Sequence, residues 1–260
     1  MRHIIPISLL FAALLLHGCG NSGKAPAGDR KIASISGYNI KVTAREYNGK
    51  AQKIKETIER YGAEVEEIKK PIIGTTAVEL AKTGNPDCTL MNFAADALFA
   101  MAQKHSDTKI DLALTNKGGL RSNIAKGNIT YGDLYNVFPF ENCLALLTLN
   151  GEQLTDLFKD IAKVGGEAIS GATLTITPDG ELLKATVGGK KIIPEKEYRI
   201  ATSDYLSQGN DKLYTLSKGS NVVIKSDIPI RDLVIEYVAS LHKEGKAVNA
   251  TPDGRITIKN

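Results

Sequence analysis

The stretch Ile110–Asn123, I-D-L-A-L-T-N-K-G-G-L-R-S-N, constrains the fold more than any other. Ile110 to Thr115 alternates apolar and polar residues, the pattern of a half-buried strand. That strand runs into Asn116, the adjacent Gly118 and Gly119, and a single Arg121. Paired glycines permit positive φ and let a ligand approach main-chain N–H groups without a Cβ in the way. Arg121 adds a planar fork of donors that suits a phosphate or carboxylate. On these residues alone, a tight turn with a surface arginine explains the stretch best. A binding site requires further pieces at other element ends.

The remaining periodicities supply the frame. Ile32–Glu46 alternates as a strand does, and Ala51–Tyr61, with Ile54 and Ile58 four apart, predicts a helix stopped at Gly62. Ala63–Lys70 reads as a second strand ending at Pro71. Leu90, Phe93, Ala94, Ala97, Leu98 and Met101 put one apolar face on a helix over Thr89–Lys104, which Asp87 could cap. Thr130 is the expected N-cap of a short helix through Val137, broken at Pro139. Phe140–Asn142 then bends into a buried strand, Cys143–Leu149, followed by a helix over Glu152–Val164. Strands are expected over Ala172–Thr177, Leu183–Val187, Tyr198–Thr202 and Arg255–Lys259. A helix over Ile230–Leu241 has Pro229 at its first turn. Interspersed helices and hairpin-spaced strands predict a mixed, α+β-like α/β fold: a mixed sheet with flanking helices.

The N-terminus reads differently from the rest. Arg2 and the apolar run Ile4–Leu16 fit a signal peptide and are too short for a comfortable membrane span. The run ends in Leu16-His17-Gly18-Cys19, which resembles a bacterial lipobox, so residues 1–18 are expected to leave and Cys19 to be lipidated. Residues 19–31 form a polar tether, and 32–260 a single domain. No acidic residue directly follows Cys19, which points to the periplasmic face of the outer membrane. Net charge is +4, and no arginine-lysine stripe is present, which excludes a nucleic-acid footprint. Cys88 and Cys143 could pair in an exported protein, or Cys143 could be a buried small hydrophobe; the sequence does not decide.

Three pieces at element ends belong together: Asn116–Arg121, Phe138-Pro139-Phe140-Glu141-Asn142, and Ala201–Asp211 (A-T-S-D-Y-L-S-Q-G-N-D). In this order they resemble the C-terminal substrate-binding domain of the 5′-nucleotidase and UDP-sugar hydrolase family, from about Ile72 onward. N-K-G-G-L-R and P-F-E-N match the family pattern fully, and T-Y-G-D-L-Y and L-N-G-E-Q-L match closely. Two pieces depart from it. Lys82–Cys88 lacks the family's arginines, with Lys82 as a partial substitute, and the family's G-G-D is Gly209-Asn210-Asp211 here.

The resemblance implies a nucleotide or nucleoside whose base lies between Phe140 and Tyr205 and whose ribose diol meets Asp211. Arg121 would hold the phosphate beside Gly118 and Gly119, Asn116 would face the sugar or phosphate, and Asn142 would support the base edge or loop. It also implies that hydrolysis belongs to a separate part carrying two metal ions. Two histidines, His105 and His242, remain beyond the leader, too few and too isolated for a dinuclear site. The chain is therefore expected to hold no cofactor or metal itself. It would act as the nucleotide-specificity half of a split, lipid-anchored 5′-nucleotidase, with divalent metals on a separately encoded metallophosphatase subunit. A free-standing lipoprotein that binds nucleosides for scavenging, and a scaffold whose site has decayed, are the alternatives.

Overall fold

The computed structural model describes residues 49–259. It divides between Gln52 and Lys53, and the unit from Lys53 onward is the one described here. The expected signal peptide, the expected lipidation site Cys19, the expected tether and the strand expected over Ile32–Glu46 lie outside the described residues.

The first element is a helix, α1 (Gly49–Lys69). It replaces both the shorter helix expected to stop at Gly62 and the strand expected over Ala63–Lys70. Ile54, Ile58, Tyr61, Val65 and Ile68 recur at alternating spacings of four and three, a helical period that carries through Gly62. One interior glycine costs only about 1 kcal/mol, too little to end a helix with that pattern. Lys69–Glu66 at 3.3 Å and Lys55–Glu59 at 3.7 Å add i,i+3 and i,i+4 pairs along its exposed surface.

Then follow β1 (Ile72–Thr76), α2 (Thr89–Lys104), β2 (Leu112–Thr115), β3 (Gly127–Thr130), α3 (Tyr131–Val137), β4 (Cys143–Asn150) and α4 (Gly151–Lys163). After them come β5 (Ala168–Ser170), β6 (Ala172–Ile176), β7 (Leu182–Val187), β8 (Glu197–Ser203), α5 (Asp204–Ser207), β9 (Ser220–Pro229), α6 (Ile230–Lys243) and β10 (Ile256–Ile258). The central sheet has the order β5-β2-β8-β4-β9. Within it β2 and β8 are parallel and every other neighbouring pair is antiparallel. β10, β6 and β7 make a second, mixed sheet, and β1 pairs with β3. The mixed sheet with flanking helices is the architecture expected.

Both faces of the central sheet are covered. On one side Phe93 and Leu98 of α2, Leu134 of α3 and Leu233 and Val234 of α6 pack against Ala113, Leu146 and Ala201. On the other, Leu154, Leu157, Phe158 and Ile161 of α4 pack with Leu112, Leu114, Leu147, Leu149 and Ile200. Consecutive β2 residues thus feed opposite cores, so β2 is buried along its whole length and not half-buried as expected. Each fully buried Leu, Ile or Phe contributes about 1.5–3 kcal/mol, so α4 is held mainly by these four side chains.

Local caps set the helix starts. Thr130 and Asp133 form a reciprocal capping box at α3, as do Asn150 and Gln153 at α4. Asp87 does not cap α2: Cys88 occupies that position, and the Asp87 carboxylate accepts from Asn92 Nδ2 and the Gly254 N–H instead. Pro229 is the N-cap of α6 and lies outside its first turn. Cys88, buried, and Cys143, partly exposed, are free thiols.

Candidate functional site

Strand direction brings the three pieces together. Asn116 follows β2 and Tyr205 follows β8, and because these strands run parallel as neighbours, both chain ends emerge at one edge. β4 runs antiparallel to β8, with Leu144 opposite Ser203, so the residues just before β4 reach the same edge. Phe140 and Asn142 are those residues. The Asp204 carboxylate fastens the two segments by accepting the N–H groups of Cys143 (3.0 Å) and Tyr205 (2.8 Å).

Lys117–Gly119 forms a single 3-10 turn after β2. Neither Gly118 nor Gly119 has a positive φ, so the role expected for them as left-handed residues does not apply. The requirement at Gly119 is space: a Cβ there would lie 2.9 Å from Asn116 Oδ1. Lys82 donates to the carbonyls of Leu120 (2.8 Å) and Lys117 (3.1 Å), so its ammonium braces this turn from beneath. Glu167, which sequence reasoning missed, accepts the Lys117 N–H from below. Burial pushes the Glu167 carboxyl up to about 7, against the lowering effect of the Lys117 N–H bond.

The opposite wall comes from the segment after β8. Tyr205 Oη donates to Asp211 Oδ1 (2.8 Å), and Asn116 Nδ2 donates to Asp211 Oδ2. The hydrogen bond to Asp211 holds the Tyr205 phenol above the ordinary tyrosine range. Gly209, Asp211 and Lys212 occupy the left-handed region, at φ +84°, 54° and 66°. Asn210, between them, does not; its side chain donates to the Tyr205 carbonyl at 2.8 Å. A left-handed Asp is uncommon, and here two side-chain bonds over-determine it.

The loop bearing Phe140 is clamped by a residue that no local pattern revealed. Arg231, buried at the start of α6, donates to Glu141 Oε1 (2.6 Å) and to the Phe138 carbonyl (3.2 Å), one on each side of Phe140. Its guanidinium also lies 4.0 Å from the Tyr135 ring centroid. The Ile230 N–H donates to the Asn142 carbonyl at 2.9 Å.

Asn116, Gly118, Gly119, Arg121, Phe140, Asn142, Tyr205 and Asp211 all line one cleft of about 390 Å³. All eight residues singled out from the sequence meet there. Phe140 is 49 % exposed and Tyr205 38 %, and both line the cleft, so both side chains are accessible to a ligand there. Arg121 donates its N–H to the Val137 carbonyl (3.0 Å) and a guanidinium N–H to Gly118 (3.3 Å). Among the described residues no carboxylate lies within ion-pair distance of it. His105 bonds Glu236 at 2.8 Å, and no group of three His, Cys, Asp or Glu side chains able to hold a metal ion occurs among the described residues. The arrangement offers two aromatic side chains, one carboxylate, two amides and a guanidinium with no ion-pair partner among the described residues.

The family model for the 5′-nucleotidase C-terminal domain matches residues 67–218. A trifunctional nucleotide phosphoesterase protein of Bacillus subtilis, YfkN, is 30 % identical over 78 % of this chain and 15 % of its own length. A probable 5′-nucleotidase of Treponema pallidum is 29 % identical over 60 % of this chain and 29 % of its own. The chain thus spans less than a third of either relative. Among solved structures, the 5′-nucleotidase precursor of Thermus thermophilus superposes with a TM-score of 0.68 at 23 % identity, covering 81 % of this chain and 44 % of that one.

Proposed function

Because the chain belongs to the family of 5′-nucleotidase C-terminal domains, we propose that it is the nucleotide-binding half of a split 5′-nucleotidase. The observation that carries this reading is the cleft in which two open aromatic rings, the Asp211 carboxylate and the uncommitted Arg121 converge. A nucleoside 5′-phosphate would stack its base on Phe140 and Tyr205. Asp211 already accepts two bonds, and its remaining lone pairs suit the ribose diol. Arg121 would pair with the phosphate, and Asn116 and Asn142 would supply amides to the sugar and the base edge. Hydrolysis is assigned to a separately encoded metallophosphatase subunit that brings the divalent metal ions.

Calorimetry with AMP and adenosine tests the site. Phe140→Ala and Tyr205→Ala are each expected to weaken both ligands by about 1–3 kcal/mol, roughly five- to 150-fold. No binding by the parent chain would leave the decayed scaffold as the answer. Tight AMP binding that a partner never improves would point to a scavenging receptor. For catalysis, the purified mature chain with Mn²⁺ should release no phosphate from AMP. Metal-dependent turnover abolished by a His105 or His242 substitution would place the catalytic centre in this chain and remove the partner from the account.

The same reading places the protein on the periplasmic face of the outer membrane, anchored through acyl chains on Cys19. The lipobox-like sequence ending at Cys19 supports it. Cys19→Ser should shift the protein from the membrane fraction to the soluble one. A variant that stays wholly with the membranes would end the lipoprotein assignment.

A further inference from the structure

We propose that Glu167 is a positioning residue for ligand binding: through Lys117 it holds Asn116, and through Asn116 the Asp211–Tyr205 pair, in the geometry the ligand meets. The proposal deepens the nucleotide reading and rests on it. Glu167 is 3 % exposed and does not line the cleft, so it acts through other residues. Its Oε2 accepts the Lys117 N–H, and the Lys117 ammonium returns to the carbonyls of Val164 and Gly166 (3.1 Å), just before Glu167. Two segments fifty residues apart are thereby tied in both directions.

The bonded N–H belongs to the peptide plane joining Asn116 to Lys117, so the Glu167 bond sets the plane from which the Asn116 side chain projects. Asn116 in turn donates to Asp211, and Asp211 takes the Tyr205 hydroxyl at 2.8 Å. A displaced Asn116 would free the carboxylate and the aromatic ring together. The charged groups acting on Glu167 are Lys117, from the turn, Asp211, beyond α5, and Lys82, from the segment after β1. An apolar side chain would fill this buried position at lower cost, but it could not accept the Lys117 N–H.

The test uses adenosine, which carries no group titrating near neutrality, and calorimetry on the full-length chain at pH 6 and pH 8. Glu167→Ala should weaken adenosine by about tenfold, the loss of one charge-assisted bond expressed at the site. Glu167→Gln, whose amide oxygen can still accept the N–H, should recover binding to within about threefold of the parent. The parent should bind about two- to fivefold more weakly at pH 6 than at pH 8, because the protonated acid is the weaker acceptor, while Glu167→Gln binds equally at both. Parent-like affinity in Glu167→Ala, or a parent-like pH profile in Glu167→Gln, overturns the proposal. Should Glu167→Ala fail to fold, the Glu167→Gln profile decides alone. A parent chain that binds no adenosine overturns the nucleotide reading together with this one, an outcome distinct from failure confined to the Glu167 variants.

Discussion

At pH 8 the Glu167→Gln variant will be more stable than the parent by about 3 kcal/mol, and at pH 4 the two will be equal. Burial raises the Glu167 carboxyl from its ordinary 4.5 to about 7. Below 4.5 it is protonated in both the folded and the unfolded chain, and its burial adds no pH-dependent cost. Between 4.5 and about 7 the folded chain keeps a proton that the unfolded chain releases, so stability falls as pH rises. Above about 7 the loss is complete. Glutamine keeps an acceptor for the Lys117 N–H and carries no charge to desolvate, so it escapes the loss. Urea denaturation of both chains at the two pH values measures the difference. Equal stability at pH 8 would mean that the carboxylate is better solvated, or better paired with Lys117 and Lys82, than its burial implies. The variant separates stability from function: stabilised at high pH, it should also have lost the pH dependence of ligand binding.

Arg121→Ala will weaken AMP by about 1.5–3 kcal/mol, roughly ten- to 150-fold, while adenosine changes by less than about threefold. The difference follows from what Arg121 touches. Its guanidinium reaches only the Gly118 carbonyl, at 3.3 Å, and has no carboxylate partner among the described residues. Its charge is therefore available to a ligand phosphate without a competing ion pair to break. The main chain at 121 is held separately, by the N–H bond to Val137 at 3.0 Å, so truncating the side chain leaves the turn in place. Adenosine retains the aromatic rings and Asp211 and lacks only the group Arg121 would pair with. Raising the salt concentration should weaken AMP more than adenosine in the parent and remove that contrast in the variant. Equal losses for both ligands would take the phosphate role from Arg121 and return Gly118-Gly119 to a structural turn.

The eight cleft residues were legible because each sits in a short pattern at the end of a readable element and because those patterns, taken together, resemble the 5′-nucleotidase C-terminal domain. Asn116 to Arg121 follow a strand, Phe140 and Asn142 precede one, and Tyr205 and Asp211 follow another. Turn and strand chemistry is local, so it survives in sequence windows of a few residues. The same locality also misled, most plainly at Gly62 and at the paired glycines. Gly62 read as a helix stop because glycine is a frequent terminator, yet α1 continues to Lys69 on the strength of an apolar spacing that spans it. The paired glycines read as left-handed positions, whereas the left-handed residues in the segment after α5 are Gly209, Asp211 and Lys212, and Gly119 answers to the Asn116 side chain.

By itself the sequence determined the mixed helix-and-strand order, most strand positions, the cap at Thr130, and the family, because these depend on contacts within a turn or two of chain. Only the tertiary structure decided that β2 is buried on both faces, that the β2 and β8 ends meet the start of β4, and that Glu167 and Arg231 brace the cleft. Glu167 finds Lys117 fifty residues away, and Arg231 finds Glu141 ninety residues away. A lone glutamate after a glycine pair and a lone arginine two residues past a proline carry no local mark of such partners. Their roles arise when chain folding removes water from around a charge, since a buried charge must then take the nearest hydrogen-bonding group, wherever in the sequence that group lies.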